Sequence, residues 1–128
     1  MTRETFLTQL HHKGANTTEA LARFMGNEEL FLSFVSRLPE KLKFDQIRHG
    51  LEVEDEDEFY MGVHNLKGMA GNLSLEPIYD CAQAILVEFR VSKFQNRKKL
   101  TALTREAEAE SEALAEFITQ YLTEKEEP

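Results

Sequence analysis

The chain has 128 residues, of which 41% are hydrophobic, enough apolar material for one ordinary domain with a single core. Its formal net charge of -8 argues against a nucleic-acid-binding surface, which would need clustered lysine and arginine, so we expect partners to be proteins or small molecules. The only cysteine, Cys81, rules out an intrachain disulfide and argues against a thiolate metal site.

Glycine and proline are scarce, and apolar residues recur every three or four positions, which predicts an all-α protein. The first predicted helix precedes Gly14 and carries three apolar residues: Phe6, Leu7 and Leu10. Asn16 stands three residues before Glu19, the spacing of a capping box, and predicts the start of a second helix. Gly26 should end that helix, whose apolar residues are Leu21, Phe24 and Met25.

Asn27 is predicted to cap a third, phenylalanine-rich helix that belongs to the core. Its apolar face consists of Leu30, Phe31, Phe34, Val35 and Leu38. Pro39 should kink or break this helix, with Leu42 and Ile47 continuing the pattern afterwards.

The acidic run from Glu52 to Glu58 should begin the next helix, predicted over about residues 55–73. Carboxylates at that position complement the positive end of the helix dipole. A binding role for these acids is the alternative, which we disfavour because charge runs are usually solvated.

Two more helices complete the pattern, one from about Glu76 to Lys93 and one from about Asn96 to Thr123. Pro77 suits the first turn of the former. The acidic tail, residues 124–128, is expected to fray. Four helices are long enough to build an up-and-down four-helix bundle, with the short additional N-terminal helices covering one end and residues 1–128 forming a single domain.

The helix of residues 55–73 contains an unusual histidine, His64. At about 100° per residue, one side of the helix collects the core residues Phe59, Val63, Leu66, Ala70 and Leu73. A mostly exposed flank collects Lys67, Tyr60, Gly71, His64 and Gly68. Gly62 turns back toward the core edge and is assigned to close helix packing.

This flank has the elements of a chemical site. A neutral imidazole nitrogen is a usable nucleophile near neutral pH, and the Lys67 ammonium, three residues after His64, could stabilise an anion such as a phosphoryl group. Gly68 and Gly71 leave bare backbone beside the ring, at a helix-propensity cost of about 1 kcal/mol each. The alternative is that these are ordinary surface residues. We disfavour it because the histidine, the lysine and the two glycines all lie on the same flank of one helix.

The run of residues 63–73, Val-His-Asn-Leu-Lys-Gly-Met-Ala-Gly-Asn-Leu, resembles the motif of histidine-containing phosphotransfer (HPt) domains in multistep phosphorelays. That motif is approximately His-x-Leu-Lys-Gly, then small residues, a polar residue and an aliphatic one. Matching positions are His64, Leu66, Lys67, Gly68, Ala70, Asn72 and Leu73. Residues 20–30, Ala-Leu-Ala-Arg-Phe-Met-Gly-Asn-Glu-Glu-Leu, are similar to the segment before the family's first long helix, so the resemblance covers residues 17 to about 94.

The resemblance implies a phosphorelay intermediate. His64 would accept a phosphoryl group from the phosphoaspartate of a response-regulator receiver domain and pass it to another receiver. Lys67 would steady the phosphoryl group, and Tyr60, Gly68 and Gly71 would form the docking surface. The family carries no metal or cofactor and is not itself an enzyme, because the magnesium and most catalytic groups belong to the receiver.

The chain departs from the family's pattern at two positions. Ser74 stands where a glycine usually ends the helix, and a left-handed serine would be strained by about 1 kcal/mol. Leu86 stands where several members place a glutamine or glutamate that hydrogen-bonds the histidine ring. Gln83, one turn earlier, is the nearest substitute for orienting the ring.

Other groups carry weaker signals. No pair at helical spacing joins His11, His12 or His49 into a metal site, so we expect none. A basic cluster lies around the turn between the last two helices and is interpreted as a solubilising turn in preference to a docking patch. It consists of Arg90, Lys93, Arg97, Lys98 and Lys99. Cys81 is interpreted as a small buried hydrophobe.

Three functions remain open at this point. The leading one is the phosphorelay intermediate; the others are a phosphoacceptor domain for a separate histidine kinase, and a helical adaptor that docks partners without being phosphorylated. No glycine-rich phosphate loop indicates a kinase. No signal-peptide-like start is visible, and no window approaches about 20 apolar residues, so we expect a cytoplasmic protein that does not bind membranes. An all-α domain with a covered core has no evident need to dimerise, so we expect a monomer.

Overall fold

A computed structural model describes residues 1–126, which form helices without a β-strand and confirm the all-α prediction. The helical segments are α1 (Arg3–His12), α2 (Thr17–Arg23), α3 (Glu28–Val35), α4 (Leu38–Lys41), α5 (Phe44–Val53), α6 (Glu56–Asn72), α7 (Glu76–Ser92) and α8 (Arg97–Glu126). Over this range, none is both long and apolar enough to cross a membrane.

Side-chain caps fix where several helices begin. The side chains of Asn16 and Asn27 accept hydrogen bonds from backbone N–H groups three residues later, as predicted. Asp55 does the same at the start of α6, and the next three residues place carboxylates in its first turn. The acidic run is nevertheless divided between two helices. Glu52 belongs to the end of α5, and Glu54 caps that end in a left-handed conformation with φ of 56°.

The last four helices, α5 to α8, pack against one another in sequence order. Helix α6 lies between α5 and α7, α7 packs on α8, and α8 also contacts α5 and α4. Two contacts give the register of α6 on α7: the Phe59 and Phe89 ring centroids lie 5.0 Å apart, and Lys93 Nζ lies 3.3 Å from a Glu56 carboxylate oxygen. The apolar residues predicted to form the core face of α6 are all buried.

Helix α1 closes one end of the core. Its Phe6 is buried and stacks on Phe117 and Tyr121 of α8, with ring centroids 5.2 and 4.0 Å away. Helix α8 continues to Glu126, so residues 124–126 are helical where the sequence predicted fraying, and a Glu124 carboxylate oxygen accepts a hydrogen bond from the Met1 amine at 3.1 Å. Residues 127 and 128 of the predicted tail lie outside the described residues.

The prediction for the third helix was wrong in two respects. The break comes after Val35, before Pro39, which instead occupies the first turn of the four-residue α4. Of the predicted apolar face, Leu30 is 44% and Phe34 38% exposed, because the short α3 turns only Phe31 and Val35 inward. Met25, predicted to pack, is 93% exposed in a turn where its φ is 57°.

Candidate functional site

Helix α6 places the predicted site residues as the helical wheel requires. His64, Tyr60 and Gly68 are exposed, while Lys67 and Gly71 are half-buried at the edge facing α7. The helix is held by its opposite side, where buried residues face the core. The imidazole is therefore available to another molecule, which a phosphoryl carrier requires.

The His64 ring is oriented by stacking. The Tyr60 ring, one turn earlier, lies nearly parallel to it, with centroids 5.7 Å apart and an interplanar angle of 12°. Among the described residues, neither ring nitrogen of His64 takes part in a hydrogen bond. Stacking restricts the ring plane while leaving both nitrogens free to react.

Gln83 does not supply the orienting hydrogen bond. The Phe59–Phe89 and Glu56–Lys93 contacts set a register in which Gln83 lies level with residues 65–66, within one turn of His64. Its side-chain oxygen is buried and has no hydrogen-bond partner in the described structure. Leu86, which that register places level with residues 62–63, is buried and has no polar atom to offer the ring. In the described residues the ring is therefore held by Tyr60, and no hydrogen bond joins Gln83 to it.

Lys67 lies beside an aromatic side chain that the sequence reasoning did not single out. Its Nζ is 5.5 Å from the centroid of the Tyr79 ring of α7, a cation–π contact. Within the part of the chain that the structure describes, Lys67 forms no ion pair with a carboxylate. The ammonium is therefore steadied without its charge being neutralised, so it can pair with an incoming anion. Helical spacing alone does not reveal Tyr79, because the contact depends on how α6 and α7 are aligned.

The two glycines of the flank differ in what surrounds them. A Cβ at Gly68 would have nothing within 4 Å, whereas one at Gly71 would touch the Tyr79 ring at 3.5 Å, an ordinary van der Waals distance. The bare backbone next to His64 is therefore open at Gly68, while the Tyr79 ring partly covers Gly71.

The end of α6 explains how a serine replaces the usual glycine. Ser74 is left-handed, with φ of 54°, and its N–H donates to Gly71 at 3.2 Å while that of Leu75 donates to Ala70 at 2.8 Å. These two bonds are those of a Schellman motif. Arg23 of α2 donates to the Ser74 hydroxyl at 2.7 Å and to the Gly71 carbonyl. The Arg23 hydrogen bonds help to hold the strained serine and fix the end of the histidine helix.

The weaker candidate groups have structural roles. No cluster of three or more histidine, cysteine or carboxylate side chains with metal-binding geometry occurs in residues 1–126. In the basic cluster, Lys93, Arg97 and Lys99 each form an ion pair with a glutamate. Cys81 is half-buried, less than predicted, and burial raises its thiol pKa.

Comparisons of the chain with protein-family models, with curated proteins and with solved structures gave no match.

Proposed function

We propose that the protein is a phosphoryl carrier that receives a phosphoryl group on His64 from the phosphoaspartate of a receiver domain and transfers it to another receiver. The observation that carries this proposal is the exposed imidazole, whose ring nitrogens have no hydrogen-bond partner among the described residues, beside an ammonium that no carboxylate of those residues neutralises. Helices α5 to α8 would form the up-and-down four-helix bundle that displays it, and α1 to α4 would cover one end. The setting proposed is the cytoplasm, with the protein acting as a monomer.

The proposed phosphoryl transfer requires only a few groups of this chain. A neutral imidazole nitrogen of His64 attacks the phosphorus, the bond between phosphorus and the aspartyl oxygen breaks, and the aspartate leaves as a carboxylate. The other ring nitrogen keeps the proton. Lys67 offsets the negative charge of the bound phosphoryl group, and the open backbone at Gly68 leaves space for the donor's reacting carboxyl group. The second transfer is the same step in reverse, with a new aspartate as acceptor.

Two donors separate this function from the alternatives. The protein is mixed with a radiolabelled phosphorylated receiver or with a histidine kinase and labelled ATP, and label is measured after acid and after base. Phosphohistidine loses label in acid and keeps it in base. Label from the receiver supports the proposal. Label from the kinase alone would indicate a kinase phosphoacceptor domain, and label from no donor would indicate an adaptor.

The His64→Gln variant should take up no label from the receiver, because glutamine has no nucleophilic ring nitrogen. His12→Gln is the matched control, since His12 is exposed on α1 away from this surface and should leave labelling unchanged. Full labelling of His64→Gln would overturn the assignment of the phosphorylated residue.

A further inference from the structure

A large groove runs along the other side of α6, on the side of α5. It encloses about 700 Å³ and is walled by α6 on one side and by the segments from α2 to α5 on the other. Ligand sites commonly measure about 300–1,000 Å³. On the helical wheel, its α6 residues Asn65 and Asn72 lie between the groove floor and His64. The groove is therefore next to the histidine surface but separate from it.

The floor of the groove is apolar and elongated. Helix α6 contributes Gly62, Leu66, Met69 and Leu73, spaced by four, three and four residues along one stripe. At 1.5 Å per residue, this stripe extends about 16 Å, or three helical turns. A groove of this length and spacing matches an amphipathic helix that inserts apolar side chains one turn apart.

The opposite wall exposes apolar surface that the fold leaves uncovered. Phe34 lines the groove and is 38% exposed, and Phe24 packs against it with ring centroids 5.4 Å apart. Leu30, four residues before Phe34 on α3 and also exposed, lies on the same face of that helix and extends this surface beyond the groove. Large apolar side chains gathered at the mouth of a groove indicate a protein-binding surface.

The charge of the rim identifies the kind of partner. Three lining residues are basic, Arg23, Lys41 and Lys43, of which Arg23 is paired with Glu19, and no lining residue is acidic, although the whole chain carries 23 acidic against 15 basic residues. Lys41 and Lys43 are exposed and form no ion pair within the described residues. A basic rim on an acidic protein favours acidic partners and disfavours basic ones.

We propose that this groove binds an acidic amphipathic helix of a partner protein, with the partner's apolar face against Met69 of the α6 stripe and the Phe24 and Phe34 rings, and with its carboxylates at Lys41 and Lys43. A second copy of the chain is the competing occupant, and sedimentation of the protein tests it. The proposal does not depend on phosphorylation of His64.

The test uses two synthetic helical peptides of about 18 residues that share leucines at helical spacing and differ only in having glutamate or lysine at the other positions. Binding is followed by fluorescence anisotropy. The glutamate peptide should bind, and the lysine peptide should bind at least about tenfold more weakly. No binding of the glutamate peptide, or equal binding of both, would overturn the proposal.

Variants locate the binding. Lys41→Glu with Lys43→Glu should weaken binding of the glutamate peptide about tenfold, and Phe34→Glu should weaken it further. Lys98→Glu with Arg105→Glu changes the net charge equally, at exposed positions on α8, and should have little effect. Circular dichroism checks that each variant folds. Equal losses in the two double variants would mean that net charge alone drives binding, which contradicts a specific site.

His64→Gln should bind the glutamate peptide normally. This control separates the two proposals. Peptide binding in the groove can be disproved while phosphoryl transfer at His64 is confirmed, and phosphoryl transfer can be disproved while peptide binding is confirmed. Sedimentation of the protein alone tests whether a second copy of the chain occupies the groove. A dimer that dissociates in the Phe34→Glu variant would show that the occupant is a second copy and would overturn the proposal of an acidic helix.

Discussion

Helix α6 contacts α5 on one side and is open to solvent on another. The glycines on the two sides have different structural roles. At the contact, a Cβ on Gly50 of α5 would lie 2.7 Å from the backbone nitrogen of Phe59, and one on Gly62 would lie 2.8 Å from Ile47 Cγ1. At Gly68, on the open side, a Cβ would meet nothing within 4 Å. Absence of a side chain brings two helices together in the first region and keeps a surface bare in the second.

The contrast between packed and open glycines predicts that substitution of Gly50 has the largest effect on stability. Gly50→Ala forces the new methyl group against the backbone of α6, which cannot rotate away, so the free energy of unfolding should fall by about 3 kcal/mol. Urea denaturation measures it. Gly62→Ala should cost less, about 1 kcal/mol, because it meets an isoleucine side chain that can adjust. A Gly50→Ala protein as stable as the wild type would remove the close-packing explanation.

On the open side the sign should reverse. Gly68→Gln replaces a poor helix former with a good one at an exposed position, so the free energy of unfolding should rise by about 0.5 kcal/mol. The same side chain would obstruct the approach to His64, so the rate of label transfer from a receiver should fall by at least about tenfold. Stability and transfer changing in opposite directions is the result that identifies a functional glycine. Unimpaired transfer would show that the bare backbone is not needed.

A third effect, of about 1 kcal/mol, is expected at the C-terminal end of α6. Ser74→Ala keeps the left-handed strain and loses the hydrogen bond from Arg23, so it should destabilise the fold by that amount. Ser74→Gly loses the same bond but relieves the strain, so it should lie close to the wild type. Thermal denaturation of both variants compares them. Equal stability of the two would mean that the backbone conformation carries no cost.

The smallest effect is expected near the start of α6. The hydrogen bond and charge of Glu58 raise the pKa of His49 above its ordinary value of 6.5, with Nδ1 2.9 Å from the carboxylate. Because the folded pKa is raised, this contribution to stability is complete below pH 6.5 and is lost as the pH rises through the folded value. NMR titration should give a lower pKa for His49 in Glu58→Gln than in the wild type. The control Glu52→Gln should lower it less, because Glu52 acts only through charge at a distance.

The sequence predicted what depends on helical period and on local caps. The position of His64 opposite the core residues of α6, and the caps at Asn16 and Asn27, follow from spacing alone, and the structure confirms them. The exposed Phe34 could not be predicted, because its burial depends on which neighbour α3 meets after the chain turns at Ser36 and Arg37.

The same limit applies to the surroundings of the site. Tyr79 reaches Lys67 through the alignment of α6 with α7, and Arg23 reaches Ser74 from 51 residues away along the chain. Counting residues from His64 placed Leu86 at the orienting position and left Gln83 as the nearest substitute, whereas the ring packs against Tyr60 on its own helix. Contacts within one helix can be predicted from residue spacing, whereas contacts between helices depend on how the helices are aligned, which the sequence does not show.

The stacking of Tyr60 on His64 also gives the molecule an optical property. The chain contains no tryptophan, so its intrinsic fluorescence comes from three tyrosines. Tyr60 and Tyr79 lie beside His64 and Lys67, and Tyr121 is buried against α1. Phosphorylation of the imidazole, as proposed, should alter the surroundings of Tyr60 and leave those of the buried Tyr121 unchanged. Tyrosine emission, compared with that of Tyr60→Phe, can therefore report the state of His64 in real time without a label.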